Sequence, residues 1–462
     1  MSDPLPVGGV GVAAESLRGL CGGRVFLPGD VGYDAARSAW NVAVDQRPAA
    51  VAVPASVDDV VAVVQAAAAA GLRVAPQSTG HNALPLVGRL GGVVLLRLSE
   101  LTGVTIDPVR RVARIVGATQ WQDVVEAAAE YGLAAMHGSS PNVAAAGYLL
   151  GGGLSWYARG HGLACNHVVA AEVVLADGSL VRADFDHYPG LFWALRGGGG
   201  NFGVITALEI RLLPYRDVYG GMLVWDAALA AEVARAWSQW THGLAEEVTT
   251  SLRQLNVPPL PELPDFLRGR QLVVVDGAVL ADDDRAAELL APLRELAPEI
   301  DTFGRMDASQ LTRIHFDPEQ PTPAVSDHLV LTDFDTAAAS AFVAAAGPGS
   351  GTTLLSAEIR HLGGAAGRPA VAGGALSHVP GDYAGFFVAV AATPDMSRQG
   401  RKDAADVVAA LQPWSAGHRF LNFTEEPTDL ASAYDADTLE RLRLIKSRRD
   451  PQGLFVANHA LD

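Results

Sequence analysis

The sequence predicts an α+β fold of two or three domains, and three observations support this prediction. The chain has 462 residues, more than one hydrophobic core usually serves. Residues 50–76 have the pattern of a β-α-β unit. Beyond Pro214, apolar strands alternate loosely with helical segments, as in a mostly antiparallel sheet covered by helices. We expect a first domain at 1–215 with its core at about 46–215, a second at 216–414, and a C-terminal segment at 415–462.

The β-α-β unit is delimited by residues typical of helix ends. A short strand precedes Ser56, a favoured N-cap residue, and two aspartates follow in the first turn of the helix. The helix over 57–70 then stops at Gly71, and RVAP forms the next strand. Ligands gather at the carboxyl ends of strands in such units, so the loop that follows, QSTGHN at 77–82, is a candidate binding loop.

Apolar periodicity and turn residues predict the remaining elements. These are strands over 91–101 and 110–118, a helix over 119–133, a hairpin over 168–184 that turns at Asp177-Gly178, a strand after the four glycines of 197–200, strands over 270–281, 352–364 and 383–393, and a helix near 436–448.

Composition and charge exclude several classes of function. The net charge of −17 disfavours nucleic acid and anionic membranes as partners, because both require clustered Lys and Arg. The two cysteines, Cys21 and Cys165, are too few for a disulfide framework or a Cys-rich metal site. The first 20 residues lack a basic region before an apolar stretch, which disfavours a signal peptide. We therefore expect a cytoplasmic enzyme that acts on a small molecule.

Three glycine-dense loops lie between residues 77 and 203: QSTGHN, AAAGYLLGGG and RGGGGNFG. Glycine lets backbone N–H groups approach a ligand closely, and clustered N–H groups bind phosphate oxygens. Tight turns alone would also explain any one loop, but three of them favour an extended ligand such as a dinucleotide. None has the G-x-G-x-x-G pattern between a strand and a helix, and none is followed by Lys-Ser or Lys-Thr, so NAD and ATP are disfavoured.

Metal and hydrolase chemistry find little support in the sequence. The histidines of the first domain share no metal-ligand spacing such as H-E-x-x-H, and no G-x-S-x-G motif is present. We expect no metal site.

Five motifs together resemble one family along essentially the whole chain. They are the GH of QSTGHN, GGGLSWYARGHGLACNHV (151–168), ADG (176–178), LFWALRGGGGNFGVIT (191–206) and DPQGLFVANHAL (450–461). In this order they resemble the berberine bridge enzyme-like FAD-linked oxidases of the vanillyl-alcohol oxidase and p-cresol methylhydroxylase (PCMH) superfamily. The resemblance implies a PCMH-type FAD-binding domain of two α+β subdomains, closed by the C-terminal segment, and a substrate domain built on a large antiparallel sheet.

The resemblance also assigns cofactor contacts by motif position. It implies that the histidine after Gly80, His81, bonds covalently to the 8α-methyl group of FAD. Many relatives have a second link from a cysteine, but Ser140 occupies that position here and cannot form a thioether, so we expect His81 to be the single covalent link. Cys165 is expected to be a core thiol. The implied contacts to FAD are Gln77, Ser78, Thr79, Gly80, His81, Asn82, Gly138, Ser139, Val143, Gly147, Gly151, Gly152, Asn166, Val204, Asn422 and Asn458.

The loop at 77–82 departs from the commoner R-x-G-G-H form of the family. Gln77 stands in place of the arginine and Thr79 in place of a glycine. Backbone contacts to a pyrophosphate survive this change, whereas the cationic contact from position 77 does not.

The catalytic base is an open question in the sequence. Many relatives have a tyrosine where this chain has Phe420, which can shape a pocket but cannot accept a proton. Some relatives use a glutamate before Leu-Gly-Gly, which is Glu358 here, on the same strand face as Arg360. In an apolar cavity its pKa would be raised, as suits a base, but a Glu358–Arg360 surface pair is an equal alternative. His361 and His378 are reserve candidates.

The resemblance implies an oxidase that transfers a hydride from a small alcohol, amine or secondary metabolite to flavin N5 and reduces O₂ to H₂O₂. The absent tyrosine favours amines slightly. An oxidative cyclase or other tailoring enzyme of secondary metabolism is one alternative, and a flavin-binding protein without turnover is another. The sequence does not define the substrate or the oligomeric state.

Overall fold

The predicted β-α-β unit forms part of a small, mostly parallel sheet. The structure is a computed structural model that describes residues 7–259, 261, 265 and 267–461. The sheet has the order β1-β2-β4-β3, and only β1 runs antiparallel to its neighbour. Its elements are α1 (Val7–Glu15), β1 (Val25–Phe26), α2 (Tyr33–Arg37), β2 (Ala50–Ala52), α3 (Val57–Ala69), β3 (Arg73–Gln77) and β4 (Val93–Arg97). The loop 78–82 leaves the carboxyl end of β3, as the sequence predicts.

A second sheet is antiparallel and completes the first part of the chain. Its order is β5-β6-β9-β7-β8, and the predicted hairpin forms β7 and β8 with Gly178 at φ 81° in the turn. The elements are β5 (Thr102–Asp107), β6 (Val112–Gly117), α4 (Trp121–Ala129), α5 (Ala145–Leu150), α6 (Ala158–His161), β7 (Val168–Val174), β8 (Leu180–Ala183), α7 (Pro189–Leu195) and β9 (Val204–Arg211). The helix predicted over 119–133 is shorter in the structure.

The third sheet is large and wholly antiparallel, with the order β13-β10-β12-β11-β16-β17-β15 and β14 beside β10. Its strands are β10 (Asp217–Asp226), β11 (Val248–Asn256), β12 (Gln271–Val279), β13 (Ile300–Asp301), β14 (Gly304–Asp307), β15 (Ala324–Leu331), β16 (Ser356–His361) and β17 (Tyr383–Val390). Helices α8 (Ala230–Thr241), α9 (Asp283–Arg294), α10 (Thr336–Ala346) and α11 (Pro394–Leu411) pack on one face, where Trp237, Ile359 and Phe387 share a core. The predicted fold class is confirmed.

The C-terminal segment returns to the first sheet after helix α12 (Ala436–Arg449). The Val74 amide of β3 donates to the Leu454 carbonyl at 2.8 Å, and the Val456 amide donates to the Val74 carbonyl at 2.9 Å. This pairing and the start of the large sheet at Asp217 support the boundaries 1–215, 216–414 and 415–462, which we propose as those of the domains. In the described part of the chain, no helix is long and apolar enough to cross a bilayer.

Candidate active site

A cavity of about 440 Å³ lies where the glycine-rich loops, the open face of the large sheet and the C-terminal segment meet. Its volume is in the usual range of small-molecule sites. Most of the residues that the sequence assigns to the cofactor line this cavity. They are Gln77, Ser78, Thr79, Gly80, His81, Asn82, Gly138, Ser139, Val143, Gly147, Gly151, Asn422 and Asn458.

Five predicted site residues lie outside the lining of the cavity, and one of them, His361, is described below. The Asn166 amide donates to the backbone carbonyls of Leu376 and Ser377, so it fixes a loop. Val204 is completely buried in the core beneath the small sheet, because the strand turns its side chain inward while its neighbours Gly203 and Ile205 reach the cavity. Gly152 packs toward Leu376 and Phe420, and the Nδ1 of His378 lies 3.0 Å from its neighbour Ser377.

His81 lies in the cavity wall, held between an aromatic ring and a backbone carbonyl. Its imidazole stacks on Trp40 with 4.0 Å between ring centroids. Its Nε2–H donates to the Asn142 carbonyl at 3.3 Å, which leaves the lone pair on Nδ1. Burial lowers the pKa of His81 to about 4, so the ring is neutral at pH 7. Gly80 before it has φ 84°, and a side chain there would lie 3.0 Å from Ala39, so this turn requires glycine.

Gln77 belongs to a buried polar chain that compensates in part for the missing arginine. Its amide exchanges hydrogen bonds with Gln46 at 2.8 and 3.1 Å. The Arg97 guanidinium of β4 donates to the same Gln77 carbonyl oxygen. A cation therefore lies directly behind the loop 77–82, although position 77 itself is neutral. No motif in the sequence indicated a role for Arg97.

Ser140 lines the cavity and donates a hydrogen bond to Asn142 Oδ1 at 2.9 Å. It lies on the same side of the cavity as His81, since both contact Asn142. Cys165 is completely buried among apolar residues, and burial raises the pKa of its thiol to about 12. The expectation that Cys165 is a packed core thiol is therefore confirmed.

Glu358 and Arg360 point from β16 into the cavity, while Ile359 packs against the helices on the other face, as alternation predicts. Arg360 Nε donates to Glu358 Oε1 at 2.7 Å, but Glu358 is only 2 % exposed, so this is no surface pair. The expectation of a raised pKa is wrong. Burial would raise the pKa of Glu358, but the cations of Arg360 and His315 outweigh it and hold that pKa well below its usual range.

Behind Glu358 lies a buried group of charged residues that was not predicted from the sequence. His315 lines the cavity, and its Nδ1–H donates to Asp276 Oδ2 at 2.8 Å. Burial and the nearby Arg253 guanidinium would each lower the pKa of His315. The carboxylates of Asp276, Glu358 and Asp317 outweigh both and raise that pKa to about 9, so His315 is cationic at pH 7. The sequence contained one signal of this group, a single aspartate within the apolar strand LVVVDGAV. A buried carboxylate needs a cationic partner, so this aspartate indicated a buried cation nearby.

Phe420 forms an apolar wall with two other aromatic residues. Its ring meets Phe423 edge-on at 5.4 Å, and Phe423 stacks on Phe386 at 4.6 Å, with all three lining the cavity. His361, in contrast, lies on the opposite face of β16, where it stacks on Tyr383 at 5.0 Å. The structure thus gives position 420 a packing role and removes His361 from the cavity.

A second carboxyl, Glu425, lines the cavity and was not identified from the sequence. It accepts a hydrogen bond from the Ser326 amide at 3.0 Å, and burial raises its pKa to about 7. In the sheet register Glu358 lies opposite Phe386, which lies opposite His328, two residues from Ser326. The backbones of Glu358 and Ser326 are therefore roughly 12 Å apart along the sheet, which places the two carboxyls in different parts of the cavity wall.

The cavity residues fit the FAD that the resemblance implies. Five buried polar groups of the lining have no hydrogen-bond partner among the described residues: Trp40 Nε1, Asn82 Oδ1, the Tyr148 hydroxyl, Ser326 Oγ and His459 Nδ1. Orphaned donors and acceptors of this kind require a polar ligand. Gly147 faces open space in the lining, which leaves its backbone accessible to such a ligand.

Comparison with known proteins agrees with this geometry. Residues 48–184 match the model of a family described as FAD binding domain. The chain is 28 % identical over 459 residues to the (R)-6-hydroxynicotine oxidase of Paenarthrobacter nicotinovorans, covering 95 % of this chain and 96 % of that protein. It is 33 % identical over 221 residues to the xylooligosaccharide oxidase of Thermothelomyces thermophilus, covering 46 % and 44 % of the two chains.

Solved structures show the same fold over nearly the whole chain. The 6-hydroxy-D-nicotine oxidase of Arthrobacter nicotinovorans superposes with a TM-score of 0.80 at 25 % identity, over 95 % of this chain and 97 % of that one. The Physcomitrella patens BBE-like 1 protein superposes with a TM-score of 0.82 at 18 % identity, over 99 % of both chains. The second match shows the fold alone.

Proposed function

This chain is an FAD-linked oxidoreductase with the fold of the berberine bridge enzyme-like proteins, and on that premise we propose that it is an oxidase whose FAD is attached covalently through His81 alone. The observation that carries the proposal is the neutral imidazole of His81 in the cavity wall. The substrate is a small organic molecule.

The surroundings of His81 supply what covalent attachment needs. A ring nitrogen attacks carbon only through a free lone pair, so the ring must be unprotonated. Burial keeps it so at pH 7, and the bond to the Asn142 carbonyl directs the remaining lone pair to Nδ1. The stack on Trp40 limits rotation of the ring and orients that nitrogen.

The remaining cavity residues suit binding and orienting a substrate. When bound, FAD accepts a hydride from a substrate carbon and passes the two electrons to O₂, which gives H₂O₂. No described residue donates a hydrogen bond to Oε2 of Glu358, so this oxygen is available to a substrate O–H or N–H. The aromatic wall of Phe386, Phe420 and Phe423 excludes water from the same space.

An amine is the substrate class that these residues favour over an alcohol. Phe420 has no hydroxyl, and the low pKa of Glu358 makes it a weak proton acceptor. A neutral amine loses a hydride without prior removal of a proton. The resemblance over nearly the full length to a protein named as a nicotine-derivative oxidase, against under half for one named as an oligosaccharide oxidase, supports this preference.

The first test is the covalent bond. We expect acid-denatured wild-type protein to keep flavin fluorescence on the protein band, and His81→Ala to lose it, because the motif assigns the link to His81 and not to His459, the other neutral imidazole of the lining. His187→Ala, which alters an exposed histidine, is the matched control and should keep the fluorescence. Fluorescence retained on the His81→Ala band would show that the link lies elsewhere.

The second part of the test is turnover. A panel of amines, alcohols and sugars is added anaerobically, and the absorbance of the oxidised flavin is followed. We expect secondary or tertiary amines to bleach the flavin, and readmitted air to restore it with formation of H₂O₂. A panel in which no compound bleaches the flavin would contradict the oxidase proposal.

A further inference from the structure

Asp276 and His315 form a buried pair at the cavity wall, where His315 lines the cavity and Asp276 lies behind it. Asp276 lies in the middle of β12 and is completely buried, and His315 is 3 % exposed. Their hydrogen bond of 2.8 Å is fixed from behind, since Arg253 Nη2 donates to the same Asp276 oxygen at 2.6 Å and Ser251 donates to the other. The imidazole therefore has one position, and its Nε2 faces the cavity side.

On the side that faces the cavity, His315 lies next to Glu358. His315 Nε2 lies 3.5 Å from Glu358 Oε1, the same oxygen that accepts from Arg360 Nε. Two cations thus lie beside the same oxygen of Glu358. His315 belongs to the loop before β15, and Arg360 belongs to β16. The other oxygen, Oε2, accepts no hydrogen bond from the described residues.

We propose that Asp276 and His315 are positioning residues that keep Glu358 ionised with one oxygen directed into the cavity, where this carboxylate stabilises positive charge developing on a substrate as a hydride leaves it. This inference rests on the proposed oxidase function and assigns the substrate class of the same cavity, a neutral amine.

Charge balance in the wall supports a fixed carboxylate. When His315 is protonated, Glu358 and the charged groups around it comprise three cations and three anions. The net charge of the wall is therefore zero without a substrate. These groups are Arg253 of β11, Asp276 of β12, His315 and Asp317 of the connecting loop, and Arg360 of β16; the Tyr148 hydroxyl also lies nearby and is neutral.

A carboxylate held in this way is suited to stabilise a cation rather than to accept a proton. A preorganised charge in a water-excluded site acts strongly on charge that develops during reaction. When an amine H–C–N–H is oxidised, the C–H bond breaks, the hydride pair leaves for the flavin, and the substrate becomes a C=N iminium cation. The electrons reach O₂ together with two protons, one from the transferred hydride and one from the N–H of the iminium, so the products are an imine and H₂O₂.

The test compares pH profiles of holoenzyme variants. The ratio of kcat/KM between His315→Gln and wild type is measured from pH 5 to 8 with an amine that bleaches the flavin, for example N-methylbenzylamine, so that titration of the amine itself cancels. Without the imidazolium, Glu358 takes up a proton at higher pH, so the ratio should fall by at least about tenfold toward pH 5. Asp276→Asn should have the same effect, because it removes a carboxylate that keeps His315 protonated while leaving the cavity lining, which Asp276 does not reach, unchanged.

The Glu358→Gln variant tests the role of the Glu358 carboxylate itself. We expect its kcat/KM to be lower by about 100-fold with amines, without the fall toward pH 5. Flavin content and circular dichroism matching those of wild type show that the variants are folded. Should Asp276→Asn fail to fold, His315→Gln still carries the test, because it leaves Asp276 paired with Arg253. Ratios that stay constant with pH in both variants, or full activity in Glu358→Gln, would overturn the inference.

A measurement without substrate separates this inference from the proposed function. The folded-state pKa of His315 is raised from 6.5 to about 9, so its contribution to stability is complete below pH 6.5 and is lost as the pH rises through 9. The difference in unfolding temperature between wild type and His315→Gln should therefore shrink from pH 7 to 10. The same difference for His167→Gln, a neutral partly buried histidine, should stay constant. A constant difference for His315 would refute its charge even if no substrate were found.

Discussion

Ser140 shows at the scale of one residue how a small change limits the chemistry of the site. In the family that the motifs resemble, a cysteine at this position forms the second bond to the flavin. The serine hydroxyl lies in the cavity wall and shares Asn142 with His81, so its position is suited to such a bond but its atom is not.

A double substitution tests this interpretation. We expect His81→Ala with Ser140→Cys to regain flavin fluorescence on the acid-denatured protein band, because the thiolate can replace the lost nucleophile. The companion variant is His81→Ala with Ser139→Cys, whose hydroxyl faces Asp317 instead, and it should stay unlabelled. Equal labelling of the two double variants would show that position 140 has no special geometry.

Single residues also set the limit of prediction from sequence. His81 and the glycine loops could be located because their motifs are contiguous. Asp276 and His315 could not be linked, since they are 39 positions apart and meet only when β12 and the loop before β15 pack together. The low pKa of Glu358 depends on the same contact between distant residues, which explains why the expected direction of its pKa was wrong.

At the scale of elements, helix α3 is defined by its capping box. Ser56 Oγ accepts from the Asp59 amide at 3.1 Å, and the Asp59 carboxylate accepts from the Ser56 amide at 3.1 Å. We expect Ser56→Ala to lower the free energy of unfolding by about 1 kcal/mol, measured by urea denaturation. Ser99→Ala, an exposed serine without a side-chain hydrogen bond among the described residues, should change it by much less. Similar losses in both variants would argue against the cap.

Elements were predictable where one face is apolar. Strands β12, β16 and β17 are largely buried apolar runs and were located correctly, as was the hairpin of β7 and β8. Strand β5 was missed, because none of its residues is buried at the edge of its sheet and the sequence there shows little alternation. The helix over 119–133 was predicted too long, since local propensity does not reveal where packing ends.

At the scale of the whole molecule, the return of the C-terminal segment depends on Asp450. This residue is 3 % exposed and accepts from the Leu454 and Phe455 amides at 2.7 and 2.9 Å and from Lys446 at 2.6 Å. We expect Asp450→Asn to lower the free energy of unfolding by about 2 kcal/mol, because charge-assisted bonds are lost and a buried ammonium loses its counter-ion.

The chain offers a matched control for that variant. Lys402 and Asp406 form a pair with the same spacing, but both side chains are largely exposed. Asp406→Asn should leave the urea midpoint unchanged within error, because exposed pairs contribute little. A similar shift of the midpoint in the two variants would show that Asp450 has no special role in fixing the segment.

The pairing of Val74 with Leu454 and Val456 determines when the first sheet can be completed during biosynthesis. One edge of β3 has no partner until a segment about 380 residues later has been translated, which takes roughly 20 to 75 s at 5–20 residues per second. Asn458, from the same late segment, contributes to the cavity wall. The cavity wall is therefore incomplete while the preceding residues are translated, and it closes only after this late segment has been made.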